Sequence, residues 1–152
     1  MRFAGAYRRA NLIVIHGNAK TLPGFLIHSP PWIALPDDAG NAAIGEAVRT
    51  ALAAYREDEP APDYRSADWK ELRRAGYRAA GARSERAYMT ESTYVSLCEE
   101  NGILRLAPTR NGGTRGDGKG FQFLPSAELR AQPCADSEVI GRAVREAWGR
   151  CT

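Results

Sequence analysis

The sequence predicts a single α+β domain: a largely antiparallel sheet carrying two pseudo-repeated strand-strand-helix units, with an extra helix in the centre of the chain. Three observations lead there. The stretch IGEAVRTAL at 44–52 returns as IGRAVREAW at 140–148, with six of nine positions identical. Short β-branched and aromatic runs, separated by Asn, Gly and Pro, precede each copy. At 152 residues the chain has the length of one domain with one proper core. The two similar halves span about 1–56 and 87–152, and 57–86 joins them.

In the first half the runs NLIVIHG, GFLIHSP and WIALP read as strands. The first repeat helix follows, with Asn41 as the expected N-cap. Its apolar residues Ile44, Ala47, Val48, Ala51, Leu52 and Tyr55 keep the spacing of one buried helical face. In the second half STYVSLCEE, GILRLAP, GFQFLP and AELRAQP read as strands. Asn101-Gly102 turns the chain between the first two, because both residues tolerate positive φ. The closing helix is capped by Asp136 or Ser137 and buries Ile140, Ala143, Val144, Ala147, Trp148 and Cys151. Arg49 and Arg145 fall at one equivalent position, expected to face solvent.

Gly45 and Gly141 carry a physical message. A glycine inside a helix costs about 1 kcal/mol relative to alanine. Its recurrence beside the first buried isoleucine points to close packing, at a place where a Cβ would clash. Each helix is therefore expected to lie close on the sheet.

The joint begins with EDEPAPD, acidic, proline-bearing and loop-like. Ser66 then caps a central helix with Trp69, Leu72 and Tyr77 facing inward and Gly81 near its end. Charge is polarised along this segment. Residues 56–71 carry six acids against three bases, and 72–86 carry five arginines against Glu85. The total is only +3.

Several chemistries find little support. The cysteines Cys98, Cys134 and Cys151 are odd in number and lack a C-x-x-C pair, so reduced, unpaired thiols are expected, with neither disulfide nor zinc site. His16 and His28 have no acid or cysteine at a metal-binding spacing. The loop GTRGDGKG approaches a phosphate-binding motif, but Gly120 stands where the hydroxyl belongs and a strand follows where a helix should. No membrane-spanning run and no signal-peptide core occur, so a cytosolic protein without cofactor is expected.

The second half carries a resemblance. SERAYMTESTYVSLCEENGILRLAP, a Gly-rich loop, GFQFLP and DSEVIGRAVREAWGRC resemble the immunity proteins of bacterial contact-dependent growth inhibition systems, the CdiI type. The shared closing feature is an acidic cap before a Leu-Gly-x-x-(Val/Leu)-x-x-Ala-Leu helix; here Ile140 and Trp148 replace the leucines. The resemblance covers about the last 70 residues, and the first helix by repetition.

It implies a non-enzymatic monomer that binds, one to one, the C-terminal toxin domain of a large surface-delivered protein, without membrane or nucleic acid. Such toxins are often nucleases. Their inhibitors are commonly acidic, so in this slightly basic chain the acidic joint is the expected contact: Glu57, Asp58, Glu59, Asp63 and Asp68, with Tyr64 or Trp69 as aromatic anchor. Arg110, Arg115 and Lys119 of the Gly-rich loop form a second candidate surface. Two alternatives stand beside this reading. Arg73, Arg74, Arg78 and the basic loop would serve a nucleic-acid-binding module, and His16 or His28 with a carboxylate would serve an enzyme.

Overall fold

The computed structural model describes residues 1–132 and 136–152, so the expected state of Cys134 lies outside the described residues. In chain order the elements are β1 (Arg2–Arg9), β2 (Leu12–Thr21), β3 (Leu26–Pro36), α1 (Asn41–Ala53), β4 (Arg56–Glu59), α2 (Ala67–Ala79), α3 (Glu85–Glu91), β5 (Ser92–Glu100), β6 (Ile103–Asn111), β7 (Phe121–Phe123), β8 (Leu129–Ala131) and α4 (Ser137–Gly149). The sheet runs β3-β2-β1-β5-β6, and β7 and β8 pair with different stretches of β6. These pairings are antiparallel; β4 alone runs parallel, beside the end of β2 at Ala19 and Thr21. The fold is α+β.

Four elements depart from the sequence reading. The runs GFLIHSP and WIALP form one continuous strand, β3. The strand β1 occupies the middle of the sheet, flanked by β2 and β5 over its length. Its core is Ala4-Gly5-Ala6, whose weak strand propensity hid it; burial on both faces overrides that preference. The acidic stretch is not all loop, since Arg56–Glu59 forms β4. A second helix, α3, begins at the end of the joint and runs into the second half, so the centre of the chain contributes two helices and a strand rather than one helix.

The sheet is covered on both faces. Alternation sends Ala4, Ala6, Ile13, Ile15, Val95, Leu97, Leu104 and Leu106 to the inner face, where α1 and α4 lie. Ile44, Val48, Leu52, Ile140, Val144 and Trp148 complete this core. Each buried aliphatic side chain contributes roughly 1.5–3 kcal/mol, which outweighs the cost of one glycine per helix. The indole Nε1 of Trp148 donates to the carbonyl of Ala6 at 3.1 Å, fastening α4 to the central strand.

The repeated glycines serve helix-helix rather than helix-sheet contact. A Cβ on Gly45 would run into the backbone of Ser137, the first residue of α4. A Cβ on Gly141 would run into the backbone of Asn41, the first residue of α1. Asn41 is not the cap of α1: Gly40 holds that position, and the Asn41 amide instead donates to Glu138 at 2.9 Å. Asp136 caps α4 through the Glu138 amide. Arg145, expected in solvent, is half-buried and binds the β3–α1 turn through the Asp37 and Ala39 carbonyls and the Asn41 side chain.

Candidate functional site

The outer face of the sheet is aromatic. The alternate residues of the same strands place Tyr7, Val14, His16 and Tyr94 there. Between His16 and Gly17 the β2–β3 register shifts: His16 stands opposite Trp32 and Gly17 opposite Ser29. Pro30 and Pro31 are thereby passed over, and Trp32 and His28 both come against His16, with ring centroids at 5.3 and 4.2 Å.

Two helices wall this face. Ser66 caps α2 by accepting the Trp69 amide at 3.1 Å; Asp68 in its first turn and Arg78 in its last suit the helix dipole. Gly81, at φ +65°, ends it, with the amide of Ala82 returning to the Tyr77 carbonyl at 2.8 Å. Gly76 lets α2 sit on the indole of Trp32, because a Cβ there would stand 3.0 Å from the ring. Ser84 caps α3, which sends Tyr88 inward to within 4.6 Å of the Tyr7 ring.

Between α2, α3 and the start of β3 lies a cleft of about 400 Å³. Its floor holds Tyr7, His28, Trp32 and Tyr88; its walls hold Trp69, Leu72, Tyr77 and Met89. Phe25, Leu26 and Tyr64 form an apolar mouth, with Tyr64 58% and Phe25 39% exposed. Tyr64 meets Trp69 edge-on at 5.4 Å. An Arg73–Glu85 ion pair joins the two helices at the cleft, and the Arg73 guanidinium lies 5.9 Å from the centre of the Trp69 ring.

The cleft is neutral at physiological pH. Burial, and secondarily the Arg73 charge, push the His28 imidazole down to about 4. Burial and the nearby His28 lower His16 as well. Burial raises the phenols of Tyr7 and Tyr88, and lifts Tyr94 to about 12. The neutral His16 donates from Nδ1 to the Gly17 carbonyl at 2.8 Å, and its Nε2 has no partner among the described residues. Trp32 likewise keeps its Nε1 buried with no partner among the described residues. The structure does bring the two histidines together. Among the described residues, however, no carboxylate hydrogen-bonds to either, and no group of three or more His, Cys, Asp and Glu is placed to hold a metal. The arrangement is suited to binding planar, apolar groups.

The residues singled out from sequence are distributed around this face. Trp69 and Tyr64 line the cleft. Glu57, Asp58 and Glu59 lie on β4; Glu57 accepts the Tyr55 hydroxyl at 3.1 Å, and Glu59 pairs with Arg56 at 2.9 Å. The Glu59 carbonyl accepts the Leu22 amide, and Thr21 binds Phe25, so the acidic strand adjoins the apolar mouth. Asp63 accepts the Arg65 amide, and Asp68 is exposed at the start of α2. Asp58, Asp63 and Asp68 make no ion pair among the described residues.

The Gly-rich loop flanks the other side of α3. Lys119 lines a groove with Ser84, Glu85 and Met89, and Glu85 and Met89 also line the cleft. Arg115 is exposed, whereas the guanidinium of Arg110 bonds the Gln122 side chain across the β6–β7 pair. The helix arginines are paired: Arg73 with Glu85, and Arg74 and Arg78 with Glu71. The sequence reading missed His28 and Trp32 as partners of Trp69, and also Tyr7, Tyr88 and Tyr94. Alternating aromatics on strands were the available signal, but β1 had not been recognised.

A family model described as CdiI, CDI immunity protein, matches residues 4–151. No curated protein matches the sequence. Among solved structures, a protein of unknown function from Neisseria meningitidis is similar, with a TM-score of 0.80, 20% identity, and coverage of 99% of this chain and 95% of that one. The CdiA-CT/CdiI toxin and immunity complex from Yersinia pseudotuberculosis contains a chain similar at TM-score 0.76 and 16% identity, covering 99% of this chain and 97% of that one.

Proposed function

The chain belongs to the CDI immunity protein family, and from that premise we propose that it neutralises the C-terminal toxin domain of a contact-dependent growth inhibition effector by binding it, one to one, in the cytosol of the cell that makes it. The observation that carries the choice of surface is the apolar mouth of Phe25, Leu26 and Tyr64, which opens into the aromatic cleft; Asp63 and Asp68 adjoin the lining residues Tyr64 and Trp69 in the chain, and with Asp58 they are exposed and make no ion pair among the described residues. Large aromatics at the centre and charges at the rim are the arrangement of a tight protein interface. The acids favour a basic partner, as a nuclease toxin that grips phosphates would be. Glu57 and Glu59 extend that rim along β4, and Arg115 and Lys119 contact the partner beyond α3, with Arg110 holding the base of their loop.

Inhibition then needs no chemistry from this chain. The neutral histidines and protonated tyrosines shape the cleft, and the acids occupy the toxin surface where an anionic substrate would lie. The paired state of Arg73, Arg74 and Arg78 makes the nucleic-acid reading the weaker one.

The test is to co-purify the full chain with the toxin domain encoded beside it and assay nucleic-acid cleavage with and without the immunity protein. A one-to-one complex with suppressed cleavage is expected. Asp58→Lys with Asp63→Lys should weaken binding at least tenfold while the variant keeps its fold by circular dichroism. Full cleavage in the presence of excess wild-type protein would sink the reading.

A further inference from the structure

We propose that the groove between α3 and the Gly-rich loop seats an acidic segment of the toxin domain, a second charge contact opposite in sign to the acids of β4 and α2; this rests on the immunity reading above. The groove has a volume of about 530 Å³. Ser84, Arg86 and Met89 line it from α3 and its cap, and Gly113, Thr114 and Lys119 from the loop. Arg86 and Lys119 are exposed and make no ion pair among the described residues. The one acid of the lining, Glu85, is held by Arg73. Arg83 and Arg115 adjoin the lining residues Ser84 and Thr114 in the chain; they too are exposed and without an ion pair among the described residues. Against these cations the loop sets one acid, the exposed Asp117. Glu85 and Met89 line the aromatic cleft as well, so the groove continues the surface assigned to the toxin.

The lining is rich in donors. The Arg86 guanidinium and the Lys119 ammonium can only donate, and the Ser84 hydroxyl, which accepts the Ala87 amide, keeps its own hydrogen to give. An occupant must therefore supply acceptors and negative charge. Carboxylate and phosphate both do so, and the loop decides between them. A loop that cradles phosphate turns its backbone amides on the anion. Here the Gly113 amide donates to the Asn111 side chain at 2.9 Å, the Lys119 amide to the Gly116 carbonyl at 3.3 Å and the Gly120 amide to the Gly113 carbonyl at 2.8 Å. Those amides hold the loop in shape and leave recognition to side chains. No aromatic ring lines the groove, so a nucleic-acid base has nothing to stack on. The guanidinium fork of Arg86, with an ammonium across the groove, suits side-chain carboxylates. A cavity of this size takes a short run of side chains rather than one small ion. Contacts of both signs fix the partner's orientation and reject a toxin that is basic throughout.

The experiment measures the Kd of the toxin domain for the full chain and its variants, with each variant's fold checked by circular dichroism. Arg86→Glu combined with Lys119→Glu should weaken binding by roughly tenfold or more. Arg142→Glu, at an exposed position on α4, should leave it unchanged. In the wild-type complex a carbodiimide, which joins an amine to a carboxylate in contact with it, should link Lys119 to a toxin Asp or Glu, read by mass spectrometry. Lys119→Arg keeps the charge and should keep the affinity while the link disappears. If the double variant loses no more affinity than Arg142→Glu, or no link from Lys119 to the toxin forms, the groove proposal is overturned and the immunity reading stands. Salt-sensitive binding of single-stranded RNA by the wild type, lost in the double variant, would assign the groove to phosphates and overturn it as well. If wild type binds no toxin domain, the immunity reading fails and the groove proposal falls with it.

Discussion

Gly5 stands directly across the β1–β2 ladder from His16, and the imidazole occupies the space where a Cβ on residue 5 would be. That Cβ would lie 2.5 Å from His16 Cε1 and 2.8 Å from the Tyr94 ring. The missing side chain on the central strand is what lets a histidine lie flat under the aromatic cleft. Gly5→Ala should therefore destabilise the fold by roughly 1–3 kcal/mol through overpacking. Adding His16→Ala should recover part of that loss, a coupling visible in a urea-unfolding double-mutant cycle. Strict additivity of the two changes would show that the residues do not share the space.

The reciprocal contacts of Gly45 with Ser137 and Gly141 with Asn41 predict a second cost. Alanine at either position gains about 1 kcal/mol of helix propensity. It also meets backbone, which cannot rotate aside as a side chain can. Each substitution should lower stability by roughly 3 kcal/mol, the upper end for overpacking. Chemical denaturation of Gly45→Ala and Gly141→Ala measures it; a variant at least as stable as wild type contradicts the packing account.

Arg145 ties α4 to the β3–α1 turn by hydrogen bonds to the Asp37 carbonyl at 2.9 Å and Asn41 Oδ1 at 3.1 Å, and to the Ala39 carbonyl. Its guanidinium is charged, so these bonds are of the stronger kind, roughly 1.5–3 kcal/mol. Arg145→Ala should cost about 2 kcal/mol, and the equivalent change at the exposed Arg49 should cost less. Melting temperatures of the two variants give the comparison.

His28 makes stability depend on pH. Its folded-state value of about 4 lies below the ordinary 6.5, so the unfolded chain binds the extra proton between those values. Stability should therefore be fully present above pH 6.5 and fall as pH drops toward 4, by about 3 kcal/mol for this group. The lowered His16 acts in the same direction. Replacing His28 by Gln should flatten the decline, read as the difference in unfolding free energy between pH 7 and pH 4.5. An unchanged slope would falsify the assignment of that window to His28.

Much of the inner layer was legible because its signals are local. The positions of Ile44, Val48 and Leu52, and of Ile140, Val144 and Trp148, identify two helical faces wherever those faces end up. Asn101-Gly102 marked the β5–β6 turn, and both residues do adopt positive φ. Ser66 marked the start of α2. The repeated glycines announced close packing without saying against what; the answer, another helix, depends on how α1 and α4 cross.

The outer layer was decided only by tertiary structure. The chain carries Tyr7, His28, Trp69 and Tyr88 far apart, on a strand that looked too weak to be one, an edge strand, and two helices. Nothing in the spacing of these residues says that they meet. Their meeting depends on the β1–β2 and β1–β5 registers, the shift after His16, and the seating of Gly76 on Trp32. Periodicity tells which side chains share a face of one element, because backbone geometry repeats every 2 or 3.6 residues. Which two faces close on each other, and whether a cleft remains between them, follows from the summed packing of all the elements, and that sum is not written in any one stretch of the sequence.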